Sequence, residues 1–132
     1  MSRSDPNVLL AEMHEAAQRA ISFIDGMSKA EFLTDTKTQA AVAMKLLNIG
    51  ESTSVLLKRH PDVAASYSRV PWPLMQGMRN RIAHGYFNLD MNVVWDTARD
   101  TLPLLLTEIS PAVEAFIEAF NARKSKSSNG KD

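Results

Sequence analysis

The sequence predicts an all-α bundle of four to five helices. Apolar residues recur at spacings of three and four along most of the chain, no segment shows the period-two alternation of a half-buried strand, and helix start signals stand ahead of the periodic runs. A length of 132 residues, 45% hydrophobic and 23% charged, fits one ordinary globular domain. We place that domain at residues 1–122 and a flexible basic tail at 123–132. A folded monomer of this mass should expose roughly 6,900 Å². Fifteen Lys and Arg balance fifteen Asp and Glu, which excludes a polycation that holds nucleic acid by bulk charge and leaves only a local cluster for that purpose. Cysteine is absent, so disulfides, thiol catalysis and thiolate metal sites are excluded. No apolar run approaches the roughly 18 residues of a spanning helix, and no apolar signal core opens the chain. The expectation is a cytoplasmic location with no membrane partner.

Asp5 is a candidate N-cap, with Pro6 at the first helical position of a helix over 6–25. Leu9, Met13, Ala16, Ala17, Ala20 and Ile24 form its apolar stripe, and Gly26 ends it. Ser28-Lys29-Ala30-Glu31 has the form of a capping box before a short turn carrying Phe32 and Leu33. Asp35 or Thr36 opens a longer helix that stops before His60-Pro61, because a residue preceding proline disfavours the α conformation. Its apolar positions make two adjacent stripes, Val42/Leu46/Ile49/Leu56 and Ala43/Leu47/Gly50/Leu57. A face that wide suits a central helix covered on more than one side.

A loop with short helical potential leads to Val70-Pro71-Trp72-Pro73, where Pro73 suits the first turn of a helix reaching His84, with Gly85 as its C′ residue. Asp90 should cap the following helix, with Leu89 stapled onto Val94. Asp100 should mark a break or a new cap. The last helix, about 101–121, carries Leu102, Leu105, Leu106, Ile109, Val113, Phe116, Ile117 and Phe120. Pro111 should kink that helix or restart it with Ser110 as cap.

The segment Met78-Arg79-Asn80-Arg81-Ile82-Ala83-His84-Gly85-Tyr86-Phe87 concentrates the chemistry. At about 100° per residue from Leu74, the residues Leu74, Met75, Met78 and Ile82 share an arc centred near about 55°. Asn80 and His84 fall far from it, at about 240° and about 280°, with Gly77 beside them and able to admit a close backbone or substrate. Arg79 sits on the shoulder at about 140°, and Arg81 is the second arginine. A histidine in the last helical turn can act as general base or general acid near neutrality. Guanidinium groups offer forked donors to phosphate oxygens. Together these groups fit phosphodiester cleavage without a metal. By spacing alone, a histidine there is more often a structural cap and a shoulder arginine is usually solvated.

Arg79-Asn80-Arg81-Ile82-Ala83-His84-Gly85-Tyr86 resembles the R-x-x-x-x-H-x-Y signature of HepT-type toxins in the HEPN superfamily. Leu47-Asn48-Ile49-Gly50-Glu51 is similar to the family's I-G-E helix, and Val70-Pro71-Trp72 to the approach to its active helix. Asp90, Val94-Trp95 and Asp100-Thr101-Leu102-Pro103 resemble its closing segment. Pro111 and the basic tail are departures from that pattern. The resemblance implies an α-helical homodimer in which two copies of the motif meet. Arg79 and His84 would be the catalytic pair, and Asn80 a supporting polar group. The implied activity is metal-independent endoribonuclease action that leaves 2′,3′-cyclic phosphate ends, with no cofactor. The implied partner is an MntA-like nucleotidyltransferase antitoxin that adds AMP to Tyr86. Glu51 could orient Arg79 or Arg81 through a charge-assisted hydrogen bond.

Gly50 and Gly77 are candidate close helix contacts. Trp72, Trp95, Phe116 and Phe120 read as core or dimer packing, and His14 and His60 as surface residues with no metal site. Two other readings compete. One is a non-catalytic helical substrate-binding or partner subunit of a nucleotidyltransferase, and the other is a purely structural dimer.

Overall fold

Four long helices carry the fold in a computed structural model that describes residues 2–129. They are α1 (Pro6–Phe23), α3 (Thr36–Arg59), α5 (Trp72–Gly85) and α7 (Leu102–Asn129). Three short helices join them: α2 (Lys29–Thr34), α4 (Pro61–Ala65) and α6 (Met91–Asp96). No strand occurs among the described residues, and the all-α class follows.

The start signals work as local chemistry requires. The Asp5 carboxylate accepts from the Asn7 backbone N–H at 2.8 Å, and Pro6 stands in the first turn. Ser28 and Glu31 form the reciprocal capping box, at 2.9 and 3.1 Å. Asp35 caps α3 through Thr38, and Asp90 caps α6 through Asn92. Between α1 and α2 the chain turns at Gly26, whose φ of 74° lies in the left-handed region that glycine enters without steric cost.

α3 is the central element, packed against α1 on one side and α5 on the other, while α1 also lies along α7. Both stripes of α3 are used. Val42, Ala43, Leu46, Ile49, Gly50 and Leu56 are buried, and Leu47 and Leu57 pack half-buried against the same core. Although α3 is long and apolar enough on average to cross a bilayer, most of its apolar residues line the bundle core and its length carries Lys37, Lys45, Glu51, Lys58 and Arg59. The whole predicted stripe of α1, from Leu9 to Ile24, is buried. Each fully buried Leu, Ile or Met is worth about 1.5–3 kcal/mol, so this shared core dominates the stability. Trp72 is buried with its indole N–H donating to the Ala64 carbonyl at 3.0 Å. Trp95 is buried against Phe32, ring centroids 5.4 Å apart.

Several local expectations need correction. Asp100 marks an interruption of the α-helix, which ends at Asp96 and resumes at Leu102, and not a new cap. It sits in a π-turn over Thr97–Thr101, where the Leu102 N–H reaches the Thr97 carbonyl. Pro103 has no N–H to return to the Arg99 carbonyl, and the widened turn lies just ahead of it. Ser110 does not cap a restarted helix, because α7 continues through Pro111. Its hydroxyl instead lies 3.0 Å from His14 Nε2 and ties α1 to α7. His14 is therefore half-buried and not a surface residue. His60 is half-buried too, with Nε2 2.7 Å from the Ser4 carbonyl oxygen, and it fastens the N-terminal segment to the end of α3.

α7 is helical to Asn129, so residues 123–129 of the expected tail extend the helix; residues 130–132 lie outside the described residues. Among the described side chains its last buried residue is Val113, and Phe120 is 46% exposed, which removes Phe120 from the chain's own core. The accessible surface is 7892 Å², larger than the compact-monomer expectation, as a helix running past the bundle requires.

The caps link this fold to pH. Backbone hydrogen bonds from Ser28 and Thr38 lower the pKa values of Glu31 and Asp35, and the Asn92 side chain followed by its backbone lowers that of Asp90. Carboxylates held below their ordinary values of 4.5 (Glu31) and 3.8 (Asp35, Asp90) stabilise the folded state fully above those values. That contribution is lost as the pH falls through the lowered pKa values. Melting temperature measured from about pH 6 down to about pH 3 should therefore fall on the acid side. An Asp35→Asn/Asp90→Asn double variant should show a shallower fall; an unchanged acid slope would remove the caps from the account.

Candidate active site at the end of α5

α5 is built as its periodicity requires. Met75, Met78 and Ile82 are buried with Trp72, and Leu74 packs half-buried beside them. Asn80 and His84 lie on the side away from them and Arg81 on the flank nearer Leu74, all three exposed. His84 stands in the last turn. Gly85 is not a left-handed C′ residue: its φ of −159° is extended backbone, and a single 3-10 turn over Tyr86–Asn88 follows directly. Tyr86 is half-buried and packs against the core through its ring. Phe87 is fully exposed.

The site is organised by the approach of α3 to α5 at Gly50. A Cβ added at position 50 would overlap the Arg79 Cβ and lie 2.9 Å from the Met75 carbonyl oxygen. Only a hydrogen fits there, so the Arg79 stem lies directly over the α3 backbone. Gly77 is different. A Cβ there would meet nothing within 4 Å, so Gly77 is not a helix contact within this chain.

The next residue of α3, Glu51, accepts from Arg79 Nε at 3.0 Å. Arg79 Nη1 donates to Asn80 Oδ1 at 3.1 Å. Of the two arginines that the sequence offers to Glu51, the structure brings Arg79, while Arg81 stays exposed. Two of the five guanidinium N–H groups are thereby engaged and three remain available. The Arg79 side chain is 30% exposed, so an anion can reach it. The pair is a half-exposed one, and its direct worth to stability is at most about 1 kcal/mol. Its effect is to restrict where the guanidinium points.

Arg79, Asn80 and Glu51 thus form one cluster. His84 does not join it within one chain. Five residues along a helix rotate a side chain by about 140° and advance it by about 7.5 Å. Glu51 also borders a polar cleft of about 520 Å³ between α1 and α3, lined by Arg3, Glu12, Arg19, Lys45 and Asn48. That cleft joins residues far apart in the sequence, and no local pattern announces it. Phe87 was legible but passed over: extending the α5 phase to it gives about 220°, opposite the core arc, although its apolar character suggests burial.

Fold and site together define an all-α bundle that carries a fixed arginine and an exposed histidine on one helix. The family model described as "Ribonuclease HepT-like" matches residues 13–119, and this chain belongs to that family. A protein of Methanocaldococcus jannaschii named "Putative RNase MJ0127" is 32% identical over 114 residues, covering 86% of this chain and 92% of that protein. "Probable ribonuclease HepT" of Thermococcus cleftensis is 32% identical over 105 residues, covering 80% and 92%. No solved structure matches the chain significantly.

Gly50→Ala should force the two helices apart or displace the Arg79 stem, costing about 1–3 kcal/mol as overpacking does. Urea denaturation checks the value, with Gly77→Ala as the control that should stay within about 0.5 kcal/mol or gain slightly from better helix propensity. Equal losses at the two positions would dismiss the close contact.

Proposed function

We propose that this protein is the toxin of a HepT/MntA-type toxin–antitoxin pair, a metal-independent endoribonuclease that acts as a homodimer. Family membership over residues 13–119 supports the ribonuclease reading, as do relatives named as ribonucleases. The observation that carries it is Arg79, held by Glu51 and Asn80 with three N–H donors left over, on the same short helix as an exposed His84.

Cleavage by this set needs no group from outside the protein. The ribose 2′-oxygen attacks the adjacent phosphorus, the bond from phosphorus to the 5′-oxygen breaks, and a 2′,3′-cyclic phosphate and a 5′-hydroxyl result. One proton leaves the 2′-hydroxyl and one is delivered to the departing oxygen. His84 handles one of these two transfers. Arg79 stabilises the extra negative charge on the pentacoordinate phosphate, where preorganised donors act most strongly. Because Arg79 and His84 of one chain project in different directions, a two-fold arrangement that faces two motif helices lets the His84 of one protomer work beside the Arg79 of its partner. Arg81 adds positive charge near the same helix end. Tyr86 lies two residues past His84. Transfer of AMP from ATP to its hydroxyl by an MntA-like nucleotidyltransferase would add bulk and negative charge there, block RNA and compete for the arginines.

Purified protein should cleave RNA with a chelator present, and His84→Ala should lose about 10²–10⁴ in rate while its circular dichroism and melting stay unchanged. Undiminished cleavage by folded His84→Ala would falsify the assignment. Glu51→Ala should slow cleavage with a stability change below about 1 kcal/mol, separating positioning of Arg79 from folding. Incubation with an MntA-like nucleotidyltransferase and ATP should raise the mass by whole AMP units. Tyr86→Phe should gain no AMP; a variant that still gains the full mass would make another residue the acceptor.

A further inference from the structure

Among the described residues, six large apolar side chains are exposed, and five of them still keep about half or more of their surface against the protein: Phe23, Leu33, Met44, Ile117 and Phe120 are 39–54% exposed. Phe87 is 100% exposed. It contributes nothing to the core, and an aromatic ring left wholly in water gains free energy only by meeting something outside this chain.

Its position points to what it meets. Phe87 sits on the single 3-10 turn that continues α5, one residue after Tyr86 and three after His84. Exposed Arg81 and His84 and the partly free guanidinium of Arg79 occupy the last two turns leading to it. The nearest carboxylate in sequence, Asp90, is turned into its own cap, accepting from the Asn92 backbone at 2.9 Å and its side chain at 3.0 Å. Cations that take phosphates, followed by a free aromatic face, are the two elements with which proteins hold single-stranded nucleic acid. The neighbouring Tyr86 ring meets Phe87 edge-on, at 6.2 Å and 75°, and so does not occupy it as a parallel stack would.

We propose that Phe87 is a substrate-binding residue that stacks on one nucleobase of single-stranded RNA beside the cleaved phosphodiester. The inference rests on the ribonuclease reading and adds to it the form of the substrate. A base can lie on Phe87 only if it is unstacked from its neighbours, so the site takes unpaired RNA in loops or single strands and not a continuous duplex. Stacking is tolerant of base identity, so Phe87 sets the position of the nucleotide more than its sequence.

The test measures binding of a short unstructured RNA to full-length protein carrying His84→Ala, so that the RNA survives, with cleavage by the otherwise wild-type chain measured in parallel. Phe87→Ala should weaken binding by about 5- to 150-fold, the range found when a stacking aromatic is removed. Phe87→Trp should keep the affinity, whereas Phe87→Leu, apolar but not planar, should behave like Phe87→Ala. Moving a single abasic nucleotide along the RNA should reveal one position that weakens the parent protein as much as Phe87→Ala does, and that costs the Phe87→Ala protein nothing further. Unchanged binding and cleavage by Phe87→Ala, in a preparation whose parent cleaves RNA, would overturn the stacking role and leave the ribonuclease reading standing. So would conversion of a dimer to a monomer by Phe87→Ala in sedimentation, which would make the ring a contact between copies. RNA neither bound nor cleaved by the parent protein would overturn both.

Discussion

The contact between α3 and α5 at Gly50 is the constraint on which the site depends. Where a side chain is missing, two helix backbones approach more closely than ordinary ridge-and-groove packing allows. The stem of Arg79 occupies the space so opened. Glu51 follows Gly50 directly and Asn80 follows Arg79, so one close crossing supplies the guanidinium with both of its partners. A long, rotamer-rich side chain loses much of its freedom during folding and has little left to lose when a phosphate arrives. The ion pair itself adds little stability; its consequence is direction.

The balance of charge across the chain gives this arrangement its meaning. Zero net charge means that no long-range field gathers an anion to the whole surface. On the proposed reading, attraction for phosphate comes from the few groups at the end of α5, where Arg79 is half-screened by Glu51 and Arg81 is exposed. Contacts of that kind weaken as salt rises and hold few phosphates at once. An aromatic surface that is indifferent to salt complements them. The rest of the bundle answers to packing: His14 and His60, whose chemistry could suggest a site, are spent on joining α1 to α7 and the N-terminal segment to α3.

Most of the architecture was legible because it follows from local rules. The stripes of α1, α3 and α5, the caps at Asp5, Ser28, Asp35 and Asp90, and the separation of Asn80 and His84 from the core arc depend only on helical periodicity and on side chains bonding to backbone a few residues away. The misreadings arose where two local rules compete. Pro103 and Pro111 both forbid a backbone donor, yet one stands just beyond a π-turn and the other inside an unbroken helix, since packing of α7 on α1 outweighs the missing bond. Phe120 fits the apolar phase of α7 and is nevertheless 46% exposed, while Phe116 is half-buried.

Taken alone, the sequence determined the all-α class, the order of the long helices and the side of α5 that faces away from the core, because each is a property of spacing within one segment. Tertiary structure decided which arginine Glu51 receives and which glycine is a true helix contact. Those outcomes depend on how segments about 30 residues apart meet in space, and a periodicity within either helix carries no information about its distance from the other.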